Sequence, residues 1–249
     1  MLTTQRRAMI SARLGRDGQI VAKALADELG LSEDTIRRDL REMAAEGLLK
    51  RVHGGALPMM PPLPDFAARQ AIDSDLKRRL GRRAADLVKP GQTVFLDGGT
   101  THAEIARALP RDLRATIVTH SPTIAAEFEK HDADVILIGG RLYKHSMVAT
   151  GAAAVAAIEQ IRVDTFFLGV TAIHPAQGLS TGDYEEAAIK RAIAGQAADI
   201  YVLATPEKLG AASPHRIMSV NELTGLVVPA DMSDDALLPY RDCTALIVA

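Results

Sequence analysis

Two hydrophobic regimes divide the chain. Over the first 56 residues apolar positions recur at three- and four-residue intervals, the spacing of one helix face; from about residue 93 onward they come as short unbroken runs set between helical stretches. Ile10 and Leu14 predict a helix over 3–16, and Val21, Leu25 and Leu29 a second over 20–29 that Gly30 stops. Ser32 is a good N-cap for a third helix over 33–46, with Glu33 and Asp34 in its first turn and Ile36, Leu40 and Met43 inward. Gly47 ends that helix, and Leu48–Gly55 reads as a short β-ribbon with a glycine turn. Two short helices joined by a Gly turn, the second opening with polar residues, form a helix-turn-helix.

Pro58, Pro61, Pro62 and Pro64 remove backbone donors and favour extended geometry, so a linker is expected over 58–73, between a head at 1–57 and a body at 74–249. In the body a helix over 74–88 leads into strand-like runs at 93–96, 115–119, 135–138, 165–170, 200–204, 226–228 and 245–248. Helical stretches at 101–109, 121–129, 151–161 and 184–197 fall between several of them. Nearly all-apolar strands alternating with helices predict an open α/β architecture, a mostly parallel sheet covered on both faces.

The composition, 47% hydrophobic and 24% charged over 249 residues, excludes disordered and fibrous classes. No apolar run approaches the roughly 20 residues of a membrane span, and the N-terminal segment carries no signal-like apolar stretch, so a cytoplasmic protein with no membrane partner is expected. The single cysteine, Cys243, has no partner for an intramolecular disulfide. The seven histidines show no metal-ligand spacing, and neither a metal nor a cofactor is expected. Net charge is −2, but the first 56 residues hold ten Lys and Arg against eight Asp and Glu, so a slightly basic head precedes an acidic body.

On the third helix Arg38, Arg41 and Asp34 lie opposite the apolar face, with Thr35 beside them and Arg37 on the flank. An Arg-bearing outer face suits the major groove, since a guanidinium fork matches guanine O6/N7 or phosphate. Lys50, Arg51 and His53 would lie alongside as a wing. Ser32, Thr35, Arg37, Arg38, Arg41, Lys50, Arg51 and His53 are therefore the candidate DNA contacts. An ordinary solvated face is the competing reading, because Glu33, Asp34, Asp39, Glu42 and Glu46 can pair with those arginines.

In the body the informative residues follow strand ends, where open α/β sheets bind ligands. Asp97-Gly98-Gly99-Thr100-Thr101 closes the first strand and opens a helix, presenting small residues, hydroxyls and free N–H groups suited to an anion. Asp97 could accept from sugar hydroxyls. His120 and Ser121 follow the second strand, Gly139 and Gly140 the third, and Lys208 stands beyond the strand ending near Ala204 as a charge for phosphate. A protonated His120 could also pair with phosphate.

Leu31-Ser32-Glu33-Asp34-Thr35-Ile36-Arg37-Arg38-Asp39-Leu40, followed by Arg51-Val52-His53-Gly54-Gly55-Ala56, resembles the N-terminal signature of DeoR-type bacterial transcription repressors. The runs DGGTT, VTHS, LIGG, DTFFLGV and Glu207-Lys208-Leu209-Gly210 look like the sensor domain of the same family. The resemblance implies a winged helix-turn-helix that binds operator DNA. It also implies an α/β sensor domain similar in fold to ribose-5-phosphate isomerase, responsive to a phosphorylated sugar. On it, Gly98–Thr101 would cradle phosphate with Asp97 alongside, and Lys208 would face the ligand. The sequence departs from the family at His120, where Asn is usual, at Thr205-Pro206-Glu207, and at Pro229-Ala230.

The expected function is repression of a carbohydrate-metabolism operon by a homo-oligomer, a dimer or tetramer, that a phosphorylated sugar releases. The alternative is a sugar-phosphate isomerase or deaminase with an accessory DNA-binding head, its base among Asp183, Glu185 and Glu186.

Overall fold

In the computed structural model, residues 2–58 and 64–249 are described. The head runs α1 (Thr3–Asp17), β1 (Ile20–Val21), α2 (Ala22–Leu29), α3 (Glu33–Ala45), β2 (Leu49–Val52) and β3 (Gly55–Pro58). Ile10, Leu14, Leu25, Ile36, Leu40, Met43 and Leu49 close one apolar core, so the helical periodicity of the sequence points where it should. The second helix is shorter than its periodicity suggests. Ile20 and Val21 instead form a strand paired antiparallel with β3, opposite Ala56 and Gly55. This contact explains a glycine of the wing: a side chain at Gly55 would meet the carbonyl oxygen of Ile20 at 1.7 Å.

The body continues with α4 (Phe66–Gln70), α5 (Ser74–Ala85), β4 (Thr93–Leu96), α6 (Thr100–Ala108), β5 (Thr116–Thr119), α7 (Pro122–Glu127) and β6 (Asp134–Leu137). Next come β7 (Arg141–Tyr143), β8 (Val148–Thr150), α8 (Ala152–Ile158), β9 (Val163–Leu168), β10 (Ala172–His174), β11 (Gly178–Thr181) and α9 (Tyr184–Ala194). The chain ends with β12 (Ala197–Leu203), β13 (His215–Met218), β14 (Gly225–Val228), α10 (Asp234–Arg241) and β15 (Ala245–Val248). Seven strands form the central sheet in the order β15-β14-β12-β9-β4-β5-β6, every neighbouring pair parallel.

Successive residues of each strand serve opposite faces. Phe95, Phe166, Val202 and Leu226 pack under α8, α9 and α10, while Val94, Leu96, Phe167 and Val227 pack under α5 and α6. This double burial is why the strands read as continuous apolar runs. After β4 the chain first builds outward through β5 and β6, then returns to add β9 on the other side of β4. The order therefore reverses between β4 and β9, which places a crevice at their C-terminal ends.

The expected linker is only partly a linker. Its prolines at 61 and 62 lie outside the described residues, but Asp65 caps α4 by accepting from the Ala68 N–H at 2.9 Å, and Phe66 is buried. The Phe66 N–H also donates to the His145 carbonyl at 3.0 Å, so this stretch packs on the body. The antiparallel pair β7–β8 and the three-stranded sheet β10-β11-β13 are additions that the sequence reading does not contain, as is α10, which holds Pro239 inside it. Among the described residues no helix is long and apolar enough to cross a membrane.

Candidate functional site

On the head the decisive feature is where the acidic side chains of α3 go. Arg6 of α1 forms a buried ion pair with Asp39, and Arg7 of α1 pairs with Glu42 and with Glu46 (2.9 Å). Three carboxylates that could have neutralised the outer face are thus turned back onto α1. Glu33 takes Arg37, with hydrogen bonds of 2.9 and 2.7 Å. Arg38, Arg41 and Arg51 are exposed and Lys50 half-buried, and none has an ion-pair partner among the described residues. Ser32 accepts from the Thr35 N–H at 3.2 Å and shares a 2.8 Å contact with its hydroxyl, so both are engaged in capping α3. His53 is exposed in the turn between β2 and β3. The face left to solvent is positive.

In the body a cavity of about 620 Å³ opens at the switch between β4 and β9. Gly98, Gly99, Thr100, Thr101 and Lys208 line it, as the sequence suggests. Gly98 is needed there because a side chain would come within 2.1 Å of Val148 Cγ1. Lys208 sits in a short turn after β12. That turn is anchored by α10, since the Gly210 N–H donates to the Tyr240 hydroxyl (2.9 Å), which itself donates to the Ile173 carbonyl (2.9 Å). Burial pushes the Lys208 ammonium down to about 8; Glu207 opposes the shift, while Arg69, Lys77 and Lys190 add to it.

The other expected contacts belong to the scaffold. Asp97 is fully buried beneath the cavity: Oδ1 accepts from the Gly98 N–H (2.7 Å) and faces His120 Nε2 (2.8 Å), while Oδ2 accepts from the Gly169 N–H (2.8 Å) and Lys190 Nζ (2.5 Å). With both oxygens occupied it is not available to sugar hydroxyls. Burial alone would raise this carboxyl, but Lys190 and then His120 outweigh it and hold Asp97 well below the usual carboxylate range. Asp97 therefore ties together the loops that follow β4 and β9.

His120 is likewise fully buried, its Nδ1 facing the Ala149 carbonyl at 2.9 Å, so it does not meet phosphate. Ser121 is buried and donates to the Met147 carbonyl at 2.9 Å. Gly139 and Gly140 lie outside the cavity lining; Gly140 packs against α8 at Ala154.

Several lining residues escape the sequence reading. Arg69 and Lys77 come from the stretch between head and sheet, where a linker and the start of a helix were expected. Lys77 Nζ donates to the Arg69 carbonyl at 2.6 Å and to that of Ile72. Arg69 is half-buried, its Nε has no partner, and the only hydrogen bond of its guanidinium among the described residues is a 3.5 Å contact to the His145 carbonyl. Burial lowers both groups from their ordinary values. Lys190 and Glu186, one turn apart on α9, are buried beside Ala187 and Ile193, and a charged pair on an apolar helix face is a signal that could have marked them.

His102 of α6 is 4% exposed and lines the cavity, with neither ring nitrogen partnered. Asp183 caps α9, accepting from the Glu186 N–H at 2.9 Å; with Glu186 it reaches the lining, whereas Glu185 does not. No three His, Cys, Asp or Glu side chains gather as a metal site among the described residues.

Comparison with known proteins follows the same division. Residues 6–59 match the DeoR-like helix-turn-helix domain and residues 72–229 the DeoR C terminal sensor domain. The chain is 34% identical over 239 residues to the HTH-type transcriptional regulator GlpR of Haloferax volcanii, covering 95% of this chain and 93% of that protein. It is 33% identical over 212 residues to the glycerol-3-phosphate regulon repressor of Escherichia coli, covering 84% of each. Among solved structures, ribose 5-phosphate isomerase A of Methanocaldococcus jannaschii aligns over 55% of each chain with 19% identity and a TM-score of 0.41.

Proposed function

The chain belongs to the DeoR family of DNA-binding transcriptional regulators, and from that premise we propose that its body senses a phosphorylated sugar or polyol and thereby sets the operator affinity of its head. It is a regulator of carbohydrate metabolism rather than an enzyme, in keeping with the names of the relatives it matches. The observation that carries the sensor reading is the cavity at the β4–β9 switch. There the start of α6 and a Lys208 without an ion-pair partner among the described residues offer donors and positive charge to an anion.

Coupling to the head follows from Arg69. This guanidinium lines the cavity from the segment that leads to the DNA-binding domain, and its buried Nε is unsatisfied. A ligand that recruits Arg69 favours one arrangement of that segment, and only such a difference between states can move a binding equilibrium.

The protein acts in the cytoplasm as a homo-oligomer, because one reading helix covers too short a half-site for specificity. Its apolar contact is β6, whose Val135, Ile136 and Leu137 are 38%, 42% and 50% exposed at the bare edge of the sheet. The test is a promoter-fragment retardation assay run at fixed salt with and without glycerol 3-phosphate, fructose 1-phosphate and glucose 6-phosphate. Release by at least one of them at a defined concentration supports the reading. Retardation no better than with unrelated DNA, or no response to any phosphate alongside unchanged melting, overturns it.

A further inference from the structure

We propose that His102 reads a hydroxyl adjacent to the ligand's anionic group and so sets which sugar or polyol phosphate the cavity accepts. This rests on the sensor reading above. His102 is the third residue of α6, three positions beyond the last of the loop glycines that would hold the anion, and its ring is held between two main-chain segments. A Cβ at Gly99 would lie 3.3 Å from its Nδ1, and one at Gly169 would lie 3.2 Å from its Cε1.

Both nitrogens are buried without partners, although each lost hydrogen bond at a buried polar atom is costly. Burial pushes the imidazole down to about 4; Asp97 opposes the shift, and Lys208 and Lys190 add to it. The ring is therefore neutral at physiological pH and offers one N–H and one lone pair.

That pair of functions selects a chemistry. A fully ionised phosphate only accepts, so it can satisfy the N–H and leaves the lone pair bare. A hydroxyl both donates and accepts. Lys208 and the first N–H groups of α6 would serve the anion on the sensor reading, and His102 lines the same cavity with the opposite requirement. The fitting ligand carries a hydroxylated carbon beside its phosphate, and a deoxygenated analogue leaves the imidazole unsatisfied.

The experiment measures binding to the full chain by calorimetry with four probes: inorganic phosphate, propyl phosphate, glycerol 3-phosphate and fructose 1-phosphate. His102→Leu is expected to weaken the hydroxylated probes roughly 10- to 100-fold while leaving inorganic and propyl phosphate within about twofold. His102→Gln, which keeps a donor and an acceptor, should recover most of the difference and guards against a loss caused by misfolding. If both variants weaken all four probes alike, or neither changes any, the inference falls while the sensor reading stands. If the unaltered chain binds none of the four, both fall.

Discussion

Asp97 Oδ2 and Lys190 Nζ lie 2.5 Å apart under the floor of the cavity, joining the end of β4 to the middle of α9. Both side chains are buried, so the pair is held in a medium where each charge depends on the other. Replacing Asp97 with Asn leaves Lys190 uncompensated and frees the two loops that the carboxylate ties. Chemical denaturation should show a loss of about 3–5 kcal/mol. The double variant Asp97→Asn with Lys190→Met should recover part of it, and a neutral single variant would show that the loops hold without the pair.

On the head, the partner of each arginine decides its expected weight. Arg38 has no ion-pair partner among the described residues, and Arg38→Ala should cost about 1–3 kcal/mol of operator binding with relaxed sequence preference. Arg37 is held by Glu33, and Arg37→Ala should cost less than half as much. Parallel titrations at one salt concentration compare them; equal losses would mean that Glu33 surrenders Arg37 on DNA. Arg51→Ala should lower the salt dependence by about one unit of slope without altering preference.

Ligand response should separate from DNA binding at Lys208 and Arg69. Both variants to Met should retard operator DNA normally when no ligand is present. Release should need at least about tenfold more glycerol 3-phosphate, because a charge-assisted contact is gone. Normal release from Arg69→Met would place the coupling elsewhere than in the segment that carries α4.

The neutral state of His102 has a consequence for stability. Its folded value of about 4 lies below the ordinary 6.5, so the unfolded chain binds more protons between those values. The contribution is complete above pH 6.5 and is lost as pH falls toward 4, about 3 kcal/mol in all. Melting curves from pH 7 to 4 should show this decline, and His102→Leu should flatten it. An equally steep decline in the variant would assign it to other groups.

The exposed edge of β6 predicts its own test. Ile136→Lys places a charge on the bare aliphatic strand and should shift the protein to a smaller species in light scattering after gel filtration. An unchanged mass would move the interface to another surface.

The head was legible because its signals are local. Ile36, Leu40 and Met43 repeat at helical spacing, Ser32 caps, and the glycines of the wing stand where β3 turns and meets Ile20. The alternating strands and helices of the body and the glycine-threonine loop at its first strand end were legible for the same reason, since burial on both faces leaves a continuous apolar run. What each polar residue does was not local. Asp97 and Lys208 look equally available in the sequence, yet folding surrounds Asp97 with Gly98, Gly169, His120 and Lys190 and leaves Lys208 in the cavity. Arg6 and Arg7 settle the charge of α3 from more than 30 positions away, just as Arg69 reaches the cavity from a stretch whose prolines suggested only a tether. Side-chain chemistry and short-range periodicity are carried by the chain itself; which donor is spent on the scaffold and which is left for a ligand depends on contacts between distant segments, and those exist only once the sheet has closed.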